Sequence, residues 1–88
     1  MNVLKTAVAG TMESSDAYVE IEQGEGRLNI NVESVVKKQF GDKIMASVKD
    51  VIDEYGIVDA NVRIIDRGAL DCVIRARVET AILRATED

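Results

Sequence analysis

Ser14 and Ser15 stand side by side between Glu13 and Asp16 in the stretch GTMESSD, Gly10 to Asp16. A serine hydroxyl is a weak nucleophile until a neighbouring base takes its proton, and the base is most often a histidine. The chain contains no histidine, so a Ser-His-Asp triad cannot form within it. Two chemistries stay open. Glu-Ser-Ser-Asp is good turn chemistry, because short polar side chains hydrogen-bond the nearby backbone. Alternatively, an exposed hydroxyl on such a turn can receive a covalent group from a partner that brings its own base.

The other reactive residues offer less. Cys72 is the only cysteine; a cation such as Arg75 can lower a thiol pKa, but a lone cysteine more often packs as a small apolar residue, here half-packed against the sheet. Arg75 and Arg77 can bind a phosphate, but arginines so placed are more often solvated or paired, here with Asp71 and Glu79. Glu13 and Asp16 are two carboxylates without a third ligand, a weak signal for a divalent cation. Without histidine and with one cysteine, an ordinary zinc site is not expected. GEG at Gly24 to Gly26 is too short for a nucleotide fingerprint and reads as a turn.

Composition narrows the partners. The 88 residues favour one domain spanning 1–88. Sixteen acids against eleven bases leave a net charge of −5, which argues against binding nucleic acid or an anionic membrane surface. No run is long and apolar enough to span a membrane, and MNVLKTAVAG lacks the continuous apolar core of a signal peptide. One cysteine excludes an internal disulfide and fits a reducing compartment. A cytoplasmic location is expected. With only Tyr18, Phe40 and Tyr55 as aromatics, the core must be aliphatic, and a deep pocket for a large substrate is not expected.

The residues around the serines must then be positioned. Leu4 to Ala9 suggests a short strand. Ala17, Val19 and Ile21 alternate with Tyr18, Glu20 and Glu22, and Leu28, Ile30 and Val32 with Arg27, Asn29 and Asn31; QGEG between them predicts an antiparallel hairpin. Ser34 is placed to cap a helix whose apolar stripe runs through Val36, Phe40, Ile44, Val48, Val51, Ile52 and Tyr55, with Phe40 in the core. Gly41 interrupts it at a cost of about 1 kcal/mol, and Gly56 stops it. Val58 to Ile64 alternates as a further strand, ended by Asp66 to Gly68. Segment 69–85 satisfies both the strand and the helix period; its length favours a helix. The expected fold is α+β, in the order β-β-β-α-β-α: a small, mainly antiparallel sheet with two helices packed on one face.

Three blocks carry a resemblance. AVAGTMESSD (Ala7 to Asp16) resembles the prosthetic-group attachment segment of the citrate lyase acyl carrier proteins, the gamma subunits. VVKKQFGD (Val35 to Asp42) resembles that family's helix opening, and DRGALDCVIRARVETAILRA (Asp66 to Ala85) its C-terminal signature. The blocks keep the family's order and spacing over nearly all of the chain, most weakly at Glu20 to Asn31. The resemblance implies a carrier and not an enzyme. It implies that Ser14, which matches the serine after Gly-Thr-x-Glu, bears 2'-(5''-phosphoribosyl)-3'-dephospho-CoA through a phosphodiester. Ser15 falls where the family varies. The thiol of that group would hold acetyl and then citryl as a thioester while citrate is cleaved to acetate and oxaloacetate. The implied partners are an alpha subunit that exchanges the acyl groups, a beta subunit that cleaves, a prosthetic-group transferase and an acetate-dependent ligase. Strand patterning and the lack of an Asp-Ser-Leu segment set the chain apart from the four-helix carriers of fatty-acid synthesis. The carriers of malonate decarboxylase and citramalate lyase are neighbouring readings, and a non-carrier assembly subunit is a reading of a different class.

Overall fold

A computed structural model describes residues 1–87, the side chains at positions 37 and 38 excepted. Its elements are β1 (Ala7–Gly10), β2 (Ala17–Glu22), β3 (Leu28–Ser34), α1 (Lys37–Glu54), β4 (Ala60–Asp66) and α2 (Asp71–Thr86). The order is the expected one, and the architecture is α+β, unlike a four-helix bundle. Among the described residues no helix is long and apolar enough to cross a membrane.

The sheet order is β1-β2-β4-β3. β2 pairs antiparallel with β1 and with β4, whereas β3 pairs parallel with β4. The expected β2–β3 hairpin therefore does not form. β4 takes the middle because Ala60, Val62, Ile64 and Asp66 are all buried, and a strand so covered needs a neighbour on each side. β3 buries less, keeps Asn29, Asn31 and Glu33 exposed, and suits an edge. A parallel pair requires a long crossover, and α1 supplies it.

One face of the sheet is the core. Ala9, Val19, Ile64 and Val32 lie in register across all four strands and all are buried. Each fully buried Val or Ile contributes about 1.5–3 kcal/mol. α2 crosses β1 and β2, α1 covers β3, and the helices pack on each other. On the opposite face, Val8, Glu20, Arg63 and Asn31 form the matching row. Segment 69–85 is helical because its buried residues, Ile74, Val78, Ala81, Ile82 and Ala85, follow a helical spacing. Leu70, Cys72 and Ala76, which the strand pattern needed, are exposed.

Several ends differ from expectation. β1 begins at Ala7 because the N–H groups of Leu4 and Lys5 donate instead to the carbonyl of Ala85 (2.9 and 3.3 Å), at the C-terminal end of α2, where carbonyls lack helical partners. β4 begins at Ala60; Val58 is exposed. α1 begins after Val36 with no side-chain cap. Ser34 is not its cap: the hydroxyl accepts from the Val36 N–H (3.0 Å) and donates to Asp66 (2.7 Å). At the other end, Gly56 has φ +65°. Its N–H donates to Asp53, and that of Ile57 to Ile52, so the helix closes as a left-handed glycine cap. Ile44, Val48, Val51 and Ile52 are buried as expected, but Phe40 is 48% exposed. It lies on an open groove at the start of α1 and not in the core.

Candidate functional site: a braced serine turn

β1 and β2 are joined by residues 11–16. The Asp16 N–H donates to the carbonyl of Glu13 (3.2 Å), which makes Ser14 and Ser15 the two corners of a β-turn. Ser15 has φ +67° and Ser14 does not share that sign, the pattern of a type II turn, whose second corner normally belongs to glycine or asparagine. Both serines are exposed. Among the described residues neither hydroxyl makes a hydrogen bond with another group of the chain. The two are nevertheless inequivalent. The Ser15 N–H donates to the carbonyl of Arg67 (2.9 Å), and the Arg67 N–H to the carbonyl of Asp16 (2.9 Å). The second corner is thus pinned to the loop after β4, and Ser14 stands at the first corner with its hydroxyl free.

The turn is braced from below by Asp16, whose carboxylate is saturated. Oδ1 accepts from the Ala17 N–H (2.7 Å) and from Arg77 Nε (3.0 Å); Oδ2 accepts from the Thr11 hydroxyl (2.7 Å) and from the second Arg77 nitrogen (3.0 Å). Thr11 Oγ1 in turn accepts from the Glu13 N–H (3.2 Å). The two-pronged Arg77 contact is the strong, geometrically specific kind. It comes first among the causes that hold the Asp16 pKa down at about 2, followed by the Thr11 hydroxyl and the Ala17 N–H. Asp16 is accordingly neither a base nor a free metal ligand, and among the described residues no three acidic or thiol groups gather as a metal site.

A pH dependence follows. A carboxyl with a folded-state pKa below its unfolded value adds stability that is full above the unfolded value and lost as pH falls to the folded one. For Asp16 the loss lies between pH about 4 and pH about 2. Denaturation midpoints of wild type and Asp16→Asn should differ most above that window, and the gap should close within it.

Gly10 makes the brace possible. It has φ +89°, and a Cβ there would stand 1.8 Å from the Ala17 carbonyl oxygen and 3.1 Å from Arg77 Cδ. Only a residue without a side chain lets β1 and Arg77 approach β2 this closely.

The remaining candidates are dispersed. Arg75 bonds Asp71 as expected (2.9 Å), and also Asp50 (3.1 Å). Arg77 pairs with Asp16 and not with Glu79. Cys72 is exposed and so is not half-packed against the sheet; it lies on the outer side of the first turn of α2. Three residues escaped the reading of types and spacings: Thr11, Arg67 and Asp66. All three lie in segments already singled out, Thr11 in GTMES and Asp66 and Arg67 in DRG. Asp66 is 1% exposed and accepts from the Ser34 hydroxyl (2.7 Å) and the Ala69 N–H (2.9 Å), tying the ends of β3 and β4 to the loop that enters α2. Asp66 also lines a groove of about 250 Å³ that is mainly apolar, through Val36, Phe40, Ile44, Leu70 and Ile74, and is bordered by Lys43 and Asp71.

Comparison with known proteins gives consistent results. The family model of the malonate decarboxylase delta subunit matches residues 4–85. A citrate lyase acyl carrier protein of Pectobacterium atrosepticum is 46% identical over 99% of this chain and 91% of its own. One of Haemophilus influenzae is 49% identical over 100% of this chain and 92% of its own. Among solved structures, a chain of a Pseudomonas malonate decarboxylase hetero-tetramer in complex with malonate superposes with a TM-score of 0.83 at 25% identity, covering 94% of this chain and 86% of that one.

Proposed function

The chain belongs to the family that joins the citrate lyase acyl carrier proteins to the malonate decarboxylase delta subunit, and from that membership we propose that it is the acyl carrier subunit of a citrate lyase. It is a carrier and not itself an enzyme. In this reading Ser14 is esterified through a phosphodiester to 2'-(5''-phosphoribosyl)-3'-dephospho-CoA. The group supplies the thiol on which acetyl and citryl are held as thioesters during cleavage of citrate to acetate and oxaloacetate. The chain works as one cytoplasmic carrier domain, loaded by a prosthetic-group transferase, recharged by an acetate-dependent ligase, and served by alpha and beta subunits.

The observation that carries the reading is the Ser14 hydroxyl: exposed, without a hydrogen bond among the described residues, on the corner of a turn braced by Thr11, Asp16 and Arg77. A carrier serine needs that placement and no base of its own, since the transferase supplies one. The residues also suit the group: the corner is exposed, and the turn that would bear an anionic phosphodiester is bonded to the backbone of Arg67, an exposed cation. Tethering keeps the acyl group at high local concentration beside successive active sites. Citrate lyase is favoured by relatives of 46% and 49% identity over nearly full length. A malonate decarboxylase carrier is the second reading, favoured by the structural neighbour.

The test is the intact mass of the chain purified from its native host with its partner genes expressed. The expected result is a gain equal to the phosphoribosyl-dephospho-CoA group. An unmodified mass would support a non-carrier assembly subunit instead. Cys72→Ser should load and accept acetate normally, because the reacting thiol belongs to the group. Its stability should change by no more than about 0.5 kcal/mol, as for an exposed site; loss of acetyl loading in a folded variant that carries the group would contradict this.

A further inference from the structure

Four arginines near the helices and sheet are engaged: Arg63 with Glu33, Arg75 with Asp50 and Asp71, Arg77 with Asp16, and Arg84 with the carbonyl of Val8. Arg67 is not. Among the described residues its guanidinium makes no ion pair or hydrogen bond, although its backbone is bonded in both directions to the serine turn, at Ser15 and Asp16. An exposed cation held at the root of the turn and left unneutralised is well placed for an anion attached there.

The chain leads from Arg67 directly to the groove. Ala69 is two residues on, at most about 7 Å away along the backbone, and its N–H is fixed by Asp66. Ala69 and Leu70 line the groove together with Phe40, Ile44 and Ile74 of the helices. Leu70 is 72% exposed and Phe40 48%, so two large apolar side chains flank an open, mainly apolar trough.

We infer that Arg67 and this groove form a resting track for the prosthetic arm: Arg67 holds the phosphate next to Ser14, the ribosyl-adenosine and diphosphate portion bridges from there, and the trough receives the methylene and amide stretch beyond it that ends in the thiol. The inference rests on the carrier reading of Ser14. The unpaired cation at the root of the turn, and a trough whose lining begins two residues beyond it at Ala69, point to the tethered arm as occupant. Because the arm is covalently attached, weak contacts suffice to hold it there between visits to partner active sites.

The test uses the full chain carrying Cys72→Ser, loaded with the phosphoribosyl-dephospho-CoA group so that the group's thiol is the only one. Two quantities are read: the rate of thiol alkylation by N-ethylmaleimide, relative to the free group, and the methyl resonances of Ile44 and Ile74 before and after loading. An arm docked most of the time should alkylate about tenfold more slowly than the free group and should shift both methyl signals. Arg67→Gln and Leu70→Ser, each at an exposed position, should restore the fast rate and cancel the shifts. A loaded chain that alkylates like the free group, with changes confined to residues 11–16, overturns the inference and leaves the carrier reading intact. Slow alkylation that survives both substitutions also overturns it, since the arm then rests elsewhere. A chain that takes up no group overturns the carrier reading and this inference together.

Discussion

Ser14→Ala should take up no mass when incubated with the prosthetic-group transferase and its nucleotide donor, while the chain keeps its fold. The expected effect is complete loss, because the substitution removes the one oxygen from which the phosphodiester would be built. Folding should be untouched, since the hydroxyl is exposed and among the described residues bonds no other group. Ser15 is the internal control, with the same hydroxyl one residue away. It occupies the second corner with φ +67°, and its N–H is committed to Arg67. Neighbouring side chains on such a backbone point to different sides, so a transferase aligned on one hydroxyl should discriminate against the other. Ser15→Ala should still be modified, with at most a reduced rate. Ser15→Gly should be modified too and should relieve the positive φ, stabilising the chain by about 1 kcal/mol. Peptide mapping that places the adduct on Ser15 would contradict the assignment.

Gly10→Ala should have the largest effect on folding. A methyl group at this position meets the Ala17 carbonyl oxygen at 1.8 Å, a contact that no side-chain rotation relieves, on a backbone with φ +89° that alanine disfavours. To relax, β1 must part from β2, and Arg77, whose Cδ is 3.1 Å from the same point, must withdraw from Asp16. The expected loss is about 3 kcal/mol or more, a large share of the stability of a domain this small. Urea denaturation should show a midpoint lowered by about 1–3 M, and the variant that remains folded should load more slowly because Ser14 is no longer held in place. An unchanged midpoint would show that the close approach at Gly10 is not needed.

What sequence could disclose here was mostly local. The alternation at Ala17 to Ile21 and at Ala60 to Ile64, and the heptad-like stripe from Ile44 to Ile52, state their own periods. The serine turn is written in seven consecutive residues. The brace beneath it is not, because Arg77 reaches Asp16 across 61 positions, and a spacing of two from Arg75 says nothing about where either points. Asp66 reads as turn punctuation beside Arg67 and Gly68; its burial depends on Ser34, 32 positions away. The two glycines of QGEG favour a tight β2–β3 hairpin, which the structure does not form. The competing signal was present: β3, α1 and β4 read as strand, helix and strand, the pattern of a parallel crossover. Phe40 and Cys72 are exposed for a common reason. Periodicity places a residue on a helix face but does not show where along the helix the partner surface ends.

The most direct test of the carrier assignment is citrate cleavage by the complex reassembled from alpha and beta subunits with this chain, loaded and acetylated. Wild type should restore cleavage to oxaloacetate, and Ser14→Ala, folded and present at the same stoichiometry, should restore none. Full citrate cleavage with the Ser14→Ala chain would contradict the account.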